Sequence, residues 1–410
     1  MYVVIAFSEL NTIETIREIS DQLSTSKATI VSIADFDELV RNNNQLLNQQ
    51  ICFFFGSGGT EKVITEFISS NKFTMKPILL SYESHNSLPS AMESNAFFKR
   101  NGIKTRHVHS KLEELVTTLN EWVEFEQIIG KIKNSRLGSV GGLSSWLVAS
   151  AVDLDSISDR WGLTIPEFSI EAIIQVDTKL ASEYKSLLDK YSTEAKNINI
   201  TTDELEKAGL IFQAIDTLAK SNQLDAITIK CFALLEQTDI TSCMALSILN
   251  NSETFTAGCE GDIPSTFTMM IAKYLTGQSA FMANVPDVNV EDNTIVMAHC
   301  TVPTNLVESY EITSHFESGK SVAPEGRFQM QEITVLRFNG PDLTDYWVSD
   351  GVIIESLSLK DNCRTQIRVK LENPVSYFLE EPLGNHHILI PGNHAKRIIN
   401  FMDFFKHRTY

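Results

Sequence analysis

Two textures of hydrophobic patterning divide the chain. Over residues 1–130, short apolar runs at Val3–Phe7, Ala28–Ile33, Ile51–Phe55, Pro77–Leu80 and Thr105–His109 alternate with amphipathic segments at Thr12–Leu23, Phe36–Leu47, Glu61–Ser69 and Ser90–Arg100. Continuous apolar runs of this length suit strands buried on both faces, and the segments between them suit crossover helices. The alternation therefore predicts a parallel α/β sheet. A long helical stretch, Lys111–Ile132, ends the unit. A second α/β region opens at Leu137–Gly142 and continues through Leu154–Trp161 and the segment Ser182–Lys190, with helical patterning at Thr202–Lys220 and Cys243–Leu249, and strand patterning at Ala226–Cys231 and Thr254–Cys259. Beyond about residue 290 the helical period fades. Period-two alternation takes over at Thr294–Ala298, Ser309–Thr313, Glu332–Phe338, Val352–Ser356, Thr365–Leu371 and His387–Ile390, before a last helix at Ala395–Phe405. This predicts a mostly antiparallel, barrel-like or sandwich-like β-rich region.

Composition narrows the class. A chain of 410 residues that is 43% hydrophobic and 21% charged has the make-up of a globular protein of two or three domains. With 52 acidic against 34 basic residues it carries −18, which argues against nucleic acid or an anionic membrane as partner. The apolar N-terminus Met1–Phe7 lacks a basic flank and reads as a buried strand rather than a signal peptide. No apolar run reaches the roughly 18 residues of a membrane helix. The six cysteines are scattered without a CxxC pair, which excludes a zinc ribbon and fits a reducing cytoplasm.

Chemistry concentrates at strand ends. Thr256-Ala-Gly-Cys-Glu-Gly-Asp262 places two carboxylates, Glu260 and Asp262, after an apolar run; Ala298-His-Cys300 and Gly384-Asn-His-His387 place imidazoles at two others. Carboxylates with an imidazole suit a divalent cation with open positions, such as manganese. An ion so held can bind neighbouring sugar oxygens, which makes a sugar-processing metalloenzyme the first expectation. Asp262 also precedes Ile-Pro-Ser-Thr and suits a helix N-cap, so cap and ligand both stay open. Glu236 follows the run Ala226–Cys231 and would converge with Asp262 if the two strands share a sheet; an exposed glutamate is the plainer outcome. Consecutive strand residues point to opposite faces, so only one of His386 and His387 can readily face an ion. His299 and His315, each taken alone, read as satisfied core or rim histidines. Gly56-Ser-Gly-Gly-Thr60 and Leu137-Gly-Ser-Val-Gly-Gly142 match neither a Walker loop nor GxGxxG and read as tight turns.

Longer stretches carry a resemblance. Residues 256–279, TAGCEGDIPSTFTMMIAKYLTGQS, resemble the segment of the L-fucose isomerase family (the L-fucose/L-arabinose isomerase-like sugar isomerases) that bears its metal-binding aspartate. Residues 384–394, GNHHILIPGNH, resemble the family's late Asn-His strand, whose histidine is a ligand, and GSGGTEKV (56–63), SHNSLPSAMESNAFFKRNG (84–102) and RLGSVGGLSSWLVAS (136–150) look like its landmarks in the first two domains. The resemblance implies an N-terminal α/β domain over 1–130, a second over 131–256, and a β-rich domain over 257–410 that completes the metal site. It implies Mn²⁺ as cofactor and a homo-trimer or homo-hexamer whose site borrows a neighbour's first domain. By position it assigns Asp262 and His386 as ligands, with Glu236 as the second carboxylate and Asp239 open for the same place.

The activity expected is aldose–ketose isomerisation of an open-chain sugar through an enediolate, with Glu236 and Asp262 exchanging protons. Glu317, Arg364, His299, Asn385, His387 and His85 are the expected sugar contacts. The chain is shorter than full-length L-fucose isomerases, chiefly in its C-terminal part, which leaves the sugar open. The alternative is a non-catalytic sugar-binding or regulatory relative.

Overall fold

The computed structural model describes residues 1–174 and 179–408 and forms two compact units, Met1–Ile128 with Asn400–Tyr410, and Ile129–Ile399. In the first, β1 (Tyr2–Ala6), β2 (Thr29–Ser32), β3 (Ile51–Phe55), β4 (Ile78–Ser81) and β5 (Arg106–His109) make one parallel sheet in the order β2-β1-β3-β4-β5. Every residue of β3 is buried, as a parallel strand covered on both faces requires. Phe53 and Phe55 share a core with Ile64 and Phe67 of the helix Glu61–Ser70. The helical stretch expected at Phe36–Leu47 is two pieces. A helix capped by Ser32 runs Ile33–Asn42, and extended Asn43 then caps a separate 3₁₀ turn, Asn44–Asn48. Phe401 and Phe404 of the last helix pack edge-on and stacked against Phe125 and Trp122 of Leu112–Lys133, at 5.4 and 5.6 Å between centroids. The end of the chain thus belongs to the first unit.

The second unit contains a parallel sheet followed by an antiparallel barrel. β6 (Leu137–Val140), β7 (Glu167–Phe168), β8 (Ala226–Ile229) and β9 (Thr256–Cys259) pair in the order β7-β6-β8-β9. The eight strands that follow are β10 (Phe281–Asn289), β11 (Thr294–His299), β12 (Ser309–Thr313), β13 (Ala323–Arg327), β14 (Glu332–Asn339), β15 (Asp345–Ser356), β16 (Thr365–Leu371) and β17 (His386–Pro391). Six of them close a barrel in the order β10-β11-β16-β15-β14-β17, while β12 and β13 pair apart from it. Phe281, Ile295, Met297, Val335, Ile353, Val369 and Leu389 lie in its core. The fold class expected from the sequence, two parallel-sheet α/β regions and then an antiparallel barrel, is the one observed. Among the described residues no helix is long and apolar enough to cross a membrane.

Three differences from the sequence reading have local causes. The run Ala226–Cys231 is strand only to Ile229; from Cys231 to Thr238 it is helix, with Leu234 buried and Glu236 on the exposed side. β10 escaped the pattern because its register shifts between Asn284 and Asp287, which breaks the period-two alternation. β13 reads Ala-Pro-Glu-Gly-Arg, and proline and glycine weaken a strand signal.

The helix Ile263–Thr276 joins the sheet to the barrel. Phe267 meets Phe338 of β14 edge-on at 6.0 Å, and Thr268 Oγ1 accepts from Phe338 N–H at 2.9 Å. On its other side the helix presses on β9, where a Cβ on Gly258 would stand 1.8 Å from Thr266 Oγ1. Gly258→Ala must push strand and helix apart, and is expected to cost about 2 kcal/mol of stability. Urea unfolding measures this; an unchanged midpoint would contradict the close approach.

Candidate metal centre

The site grows from the turn between β9 and the helix Ile263–Thr276. Glu260 and Gly261 both adopt the left-handed conformation, with φ of 61° and 69°. A Cβ on Gly261 would lie 2.0 Å from the Gly142 carbonyl oxygen, so only glycine fits there. The double turn reverses the chain and delivers Asp262 to the N-cap. Its Oδ1 accepts from Ser265 N–H at 2.9 Å, and its Oδ2 accepts from Ser265 Oγ–H at 2.8 Å. Oδ2 also lies 2.9 Å from His386 Nδ1 and 3.5 Å from Arg337 Nη1. Asp262, Arg337 and His386 are wholly buried. Arg337 donates to the carbonyl of His386 at 2.6 Å, to that of Leu383 at 3.1 Å, and to Ser265 Oγ and Ser150 Oγ, each at 2.8 Å. The two roles left open for Asp262 thus combine differently: it caps the helix, and it holds the back of the histidine.

Glu260, His299 and His386 form the one group among the described residues whose ligand atoms lie within 4.8 Å of one another and could hold a metal ion. Each is anchored at one end and open at the other. His386 Nδ1 is held by Asp262, while its buried Nε2 has no hydrogen-bond partner and sits 3.4 Å from Glu260 Oε1. His299 Nδ1 is held by Thr301 Oγ1 at 2.8 Å, and its Nε2 lies 3.9 Å from the same Oε1. Glu260 Oε2 accepts from Trp146 Nε1–H at 2.7 Å, which leaves Oε1 facing both imidazoles. Free atoms converging from residues held by a second layer of hydrogen bonds are what a metal site requires. Two imidazoles and a carboxylate suit a borderline divalent cation.

The electrostatics fit the same reading. Burial alone would raise the Glu260 carboxyl, but the His299 and His386 imidazoles facing it hold it far below the usual carboxylate range. Asp262 is likewise pulled against burial to about 2 by Arg337 and His386. Burial disfavours imidazolium at His386, yet Asp262 and Glu260 outweigh it and raise that group to about 9. His299 is pushed down, chiefly by burial. Without an ion, then, a proton on His386 supplies part of the positive charge that the two carboxylates demand.

The cleft beside the group is lined by Phe232, Leu235, Asn284, His315 and Glu317 together with several cysteines. It spans about 400 Å³ counting its open mouth, and narrows inside to about 20 Å³, room for a water or an ion beside the three side chains.

The other residues singled out by sequence scatter more. Glu236 is exposed on the helix Cys231–Thr238 and is not brought to the group; Asp239, at the end of that helix, pairs with Lys320 at 2.6 Å. His299, expected at the sugar, stands with Glu260 and His386. His387 points away, into the rings of Trp347, Tyr377 and Phe378, with Nε2 3.1 Å from Tyr377 Oη. Glu317 lines the cleft, its Oε2 3.8 Å from His315 Nε2. Arg364 donates from Nε to the Ser314 carbonyl at 2.8 Å, and exposed Asn385 donates to Asn284 Oδ1 at 3.1 Å. His85 is in the first unit, left-handed, with Nδ1 2.8 Å from Tyr82 Oη. Glu260 itself was visible as half of the acid pair, but the resemblance gave the ligand role to Asp262 and none to Glu260.

No known family's sequence profile matches the chain. Two curated relatives, the sulfoquinovose isomerases of Priestia aryabhattai and Priestia megaterium, are each 20% identical over 177 residues, covering 42% of this chain and 40% of theirs. The chain therefore spans about two fifths of the length of the relatives it matches. This is a distant, partial likeness to a sugar isomerase.

His386 must be neutral to offer Nε2 to an ion, and in the metal-free protein it titrates near 9. Binding of Mn²⁺ as a probe at neutral pH should release about one proton, with apparent affinity rising about tenfold per pH unit towards pH 9 and levelling beyond it. Calorimetry in buffers of different ionisation enthalpy tests this. Proton-free, pH-independent binding would contradict the assignment.

Proposed function

We propose that the chain is a metal-dependent aldose–ketose isomerase acting on an open-chain sugar through an enediolate. The carrying observation is the trio Glu260 Oε1, His299 Nε2 and His386 Nε2, three converging atoms on residues each anchored from behind. The distant likeness to sugar isomerases supports the substrate class. In this reading those three residues hold the ion, Mn²⁺ being the one the resemblance favours. A divalent ion there supplies Lewis-acid stabilisation of negative charge on the sugar oxygens.

The chain's own groups do the rest. Asp262 fixes the tautomer and orientation of His386, and its carboxylate is too fully engaged and too acidic to serve as the base. Isomerisation needs a proton moved between C1 and C2 of the sugar. Glu317 is the group suited to it: burial, then the charge of Glu260, pushes its carboxyl up from the usual value. His315 beside it is held neutral, pushed down to about 4 mainly by burial, and is suited to accept from a sugar hydroxyl. Assembly as a trimer or hexamer, and a reducing compartment such as the cytoplasm for six free cysteines, belong to the same proposal.

Metal stoichiometry separates the roles. Glu260→Gln and His386→Ala should lose the ion, whereas His387→Ala and Glu236→Gln should keep it. If Glu236→Gln empties the site and Glu260→Gln does not, the ligand assignment is wrong.

Turnover is read with Mn²⁺ on a panel of aldoses and ketoses, including sulfonated and deoxy sugars, followed by NMR in heavy water. A ketose–aldose pair with deuterium at C1 or C2 is expected, and Glu317→Gln should slow it by about a hundredfold or more with the ion retained. Tight sugar binding without turnover across the panel would replace the proposal with a binding or regulatory role.

A further inference from the structure

The cleft beside Glu260 is lined with thiols. Cys231, Cys243, Cys259, Cys300 and Cys363, five of the chain's six cysteines, face it, and all are free. A reagent that enters the cleft therefore meets thiols next to the metal group. Two of these cysteines lie at neighbouring strand ends. β8 and β9 run parallel with Ile229 opposite Cys259. The chain leaves β8 through Lys230 and turns at once into the helix Cys231–Thr238, which brings Cys231 Sγ to 3.2 Å from Cys259 Sγ. Both side chains are buried, at 5% and 3% exposure. A disulfide bond is about 2.05 Å long, so closing this pair needs an approach of roughly 1.2 Å.

We infer that Cys231 and Cys259 form an oxidisable dithiol that a small hydroperoxide closes to a disulfide, and that closure disturbs the metal group through Glu260. The step balances with hydrogen peroxide as oxidant. One sulfur attacks the peroxide, its O–O bond breaks, and a sulfenic acid and one water result. The second sulfur attacks the sulfenic sulfur, the S–S bond forms, and the S–O bond breaks to release a second water. The two thiols lose two electrons and the peroxide gains them.

The burial of the pair selects the oxidant. Both sulfurs lie in the cleft's narrow inner part, buried to 5% and 3% exposure, which suits hydrogen peroxide and keeps a tripeptide disulfide such as oxidised glutathione from reaching them.

The coupling runs along the backbone. Cys259 is bonded to Glu260, whose left-handed conformation and whose carbonyl, accepting from Ser144 N–H at 3.2 Å, leave little slack. The Cys259 carbonyl also accepts from Asp262 N–H at 3.1 Å. A displacement of Cys259 is therefore passed to Glu260 and to the residue behind His386. The dithiol stands apart from the proposed function; only its effect on the ion rests on that reading.

The test uses the full-length protein, reduced, freed of reductant, and treated with hydrogen peroxide or with oxidised glutathione. Non-reducing peptide mapping should show a Cys231–Cys259 cross-link with peroxide, a mass loss of about 2 Da, reversal by dithiothreitol, and no glutathione adduct. Mn²⁺ affinity of the oxidised protein should fall about tenfold or more and recover on reduction. Cys231→Ser and Cys259→Ser, checked for folding by circular dichroism, should abolish both effects, while Cys243→Ser keeps both. A cross-link between Cys300 and Cys363, or sulfinic acid without a cross-link, overturns the dithiol. A Cys231–Cys259 cross-link with unchanged Mn²⁺ affinity overturns the coupling. If the reduced protein binds no Mn²⁺, the metal reading fails, and the peptide map still decides the dithiol.

Discussion

The carboxylate of Asp262 ties the second unit together. It is wholly buried, and a carboxylate without water costs several kcal/mol unless its oxygens are fully paired. Here the pairing comes from three separate parts of the chain: the first turn of the helix Ile263–Thr276, the imidazole of His386 at the start of β17, and the guanidinium of Arg337 on β14. Removing one partner of a buried pair typically costs about 3–5 kcal/mol. Helix start, strand start and buried arginine therefore hold position together or not at all. What this fixes is the direction of His386 Nε2.

Around that constraint the charges are arranged to favour a cation. Glu260 and Asp262 are both held as carboxylates, and Arg337 answers only the one behind the histidine. In the metal-free protein the proton on His386 meets the remaining demand. The sign of its linkage follows: this contribution to stability is full below the unfolded value near 6.5 and is lost as pH rises through about 9. The Asp262 contribution runs the other way, present above its unfolded value and lost as pH falls through about 2. A divalent ion held there would do the work of the His386 proton without the pH limit, and would compete with that proton for the same atom.

Most of the fold was legible because buried parallel strands and alternating barrel strands leave strong periodic signals. All five strands of the first sheet, and six of the eight later strands at least in part, lay in segments the pattern marked. The site was legible in its types and less so in its members. Glu236 looked like a strand-end acid because the apolar run Ala226–Cys231 hides the change to helix at Cys231. A helix that buries Leu234 turns Glu236 outward. His299 had no motif around it, and a lone histidine in an apolar segment is ordinarily structural. Its place beside Glu260 and His386 emerges only from the fold, which brings its ring to 5.5 Å from that of His386. That only one of His386 and His387 faces Glu260 was readable from strand alternation, since no extended segment can point both the same way; which of the two does so came from the resemblance.

The glycine turn Gly141-Gly142 shows how a feature read as mere geometry contributes to the site. A left-handed glutamate costs about 1–2 kcal/mol, so the conformation of Glu260 persists only where its surroundings impose it. The segment after β6 supplies them. The Gly142 carbonyl lies so close that only glycine fits at 261, Ser144 N–H binds the Glu260 carbonyl, and Trp146 Nε1–H takes Oε2. Each such hydrogen bond contributes about 1 kcal/mol, enough together to offset the strain. The same segment reaches on to Arg337 through Ser150. Residues 141–150 therefore act on both sides of the centre: they hold Glu260 from one direction and, through Arg337, steady Asp262 from the other. A tight turn with no catalytic motif of its own is what allows two acids, separated by a single glycine, to take opposite places, one facing the cleft and one buried behind the imidazole.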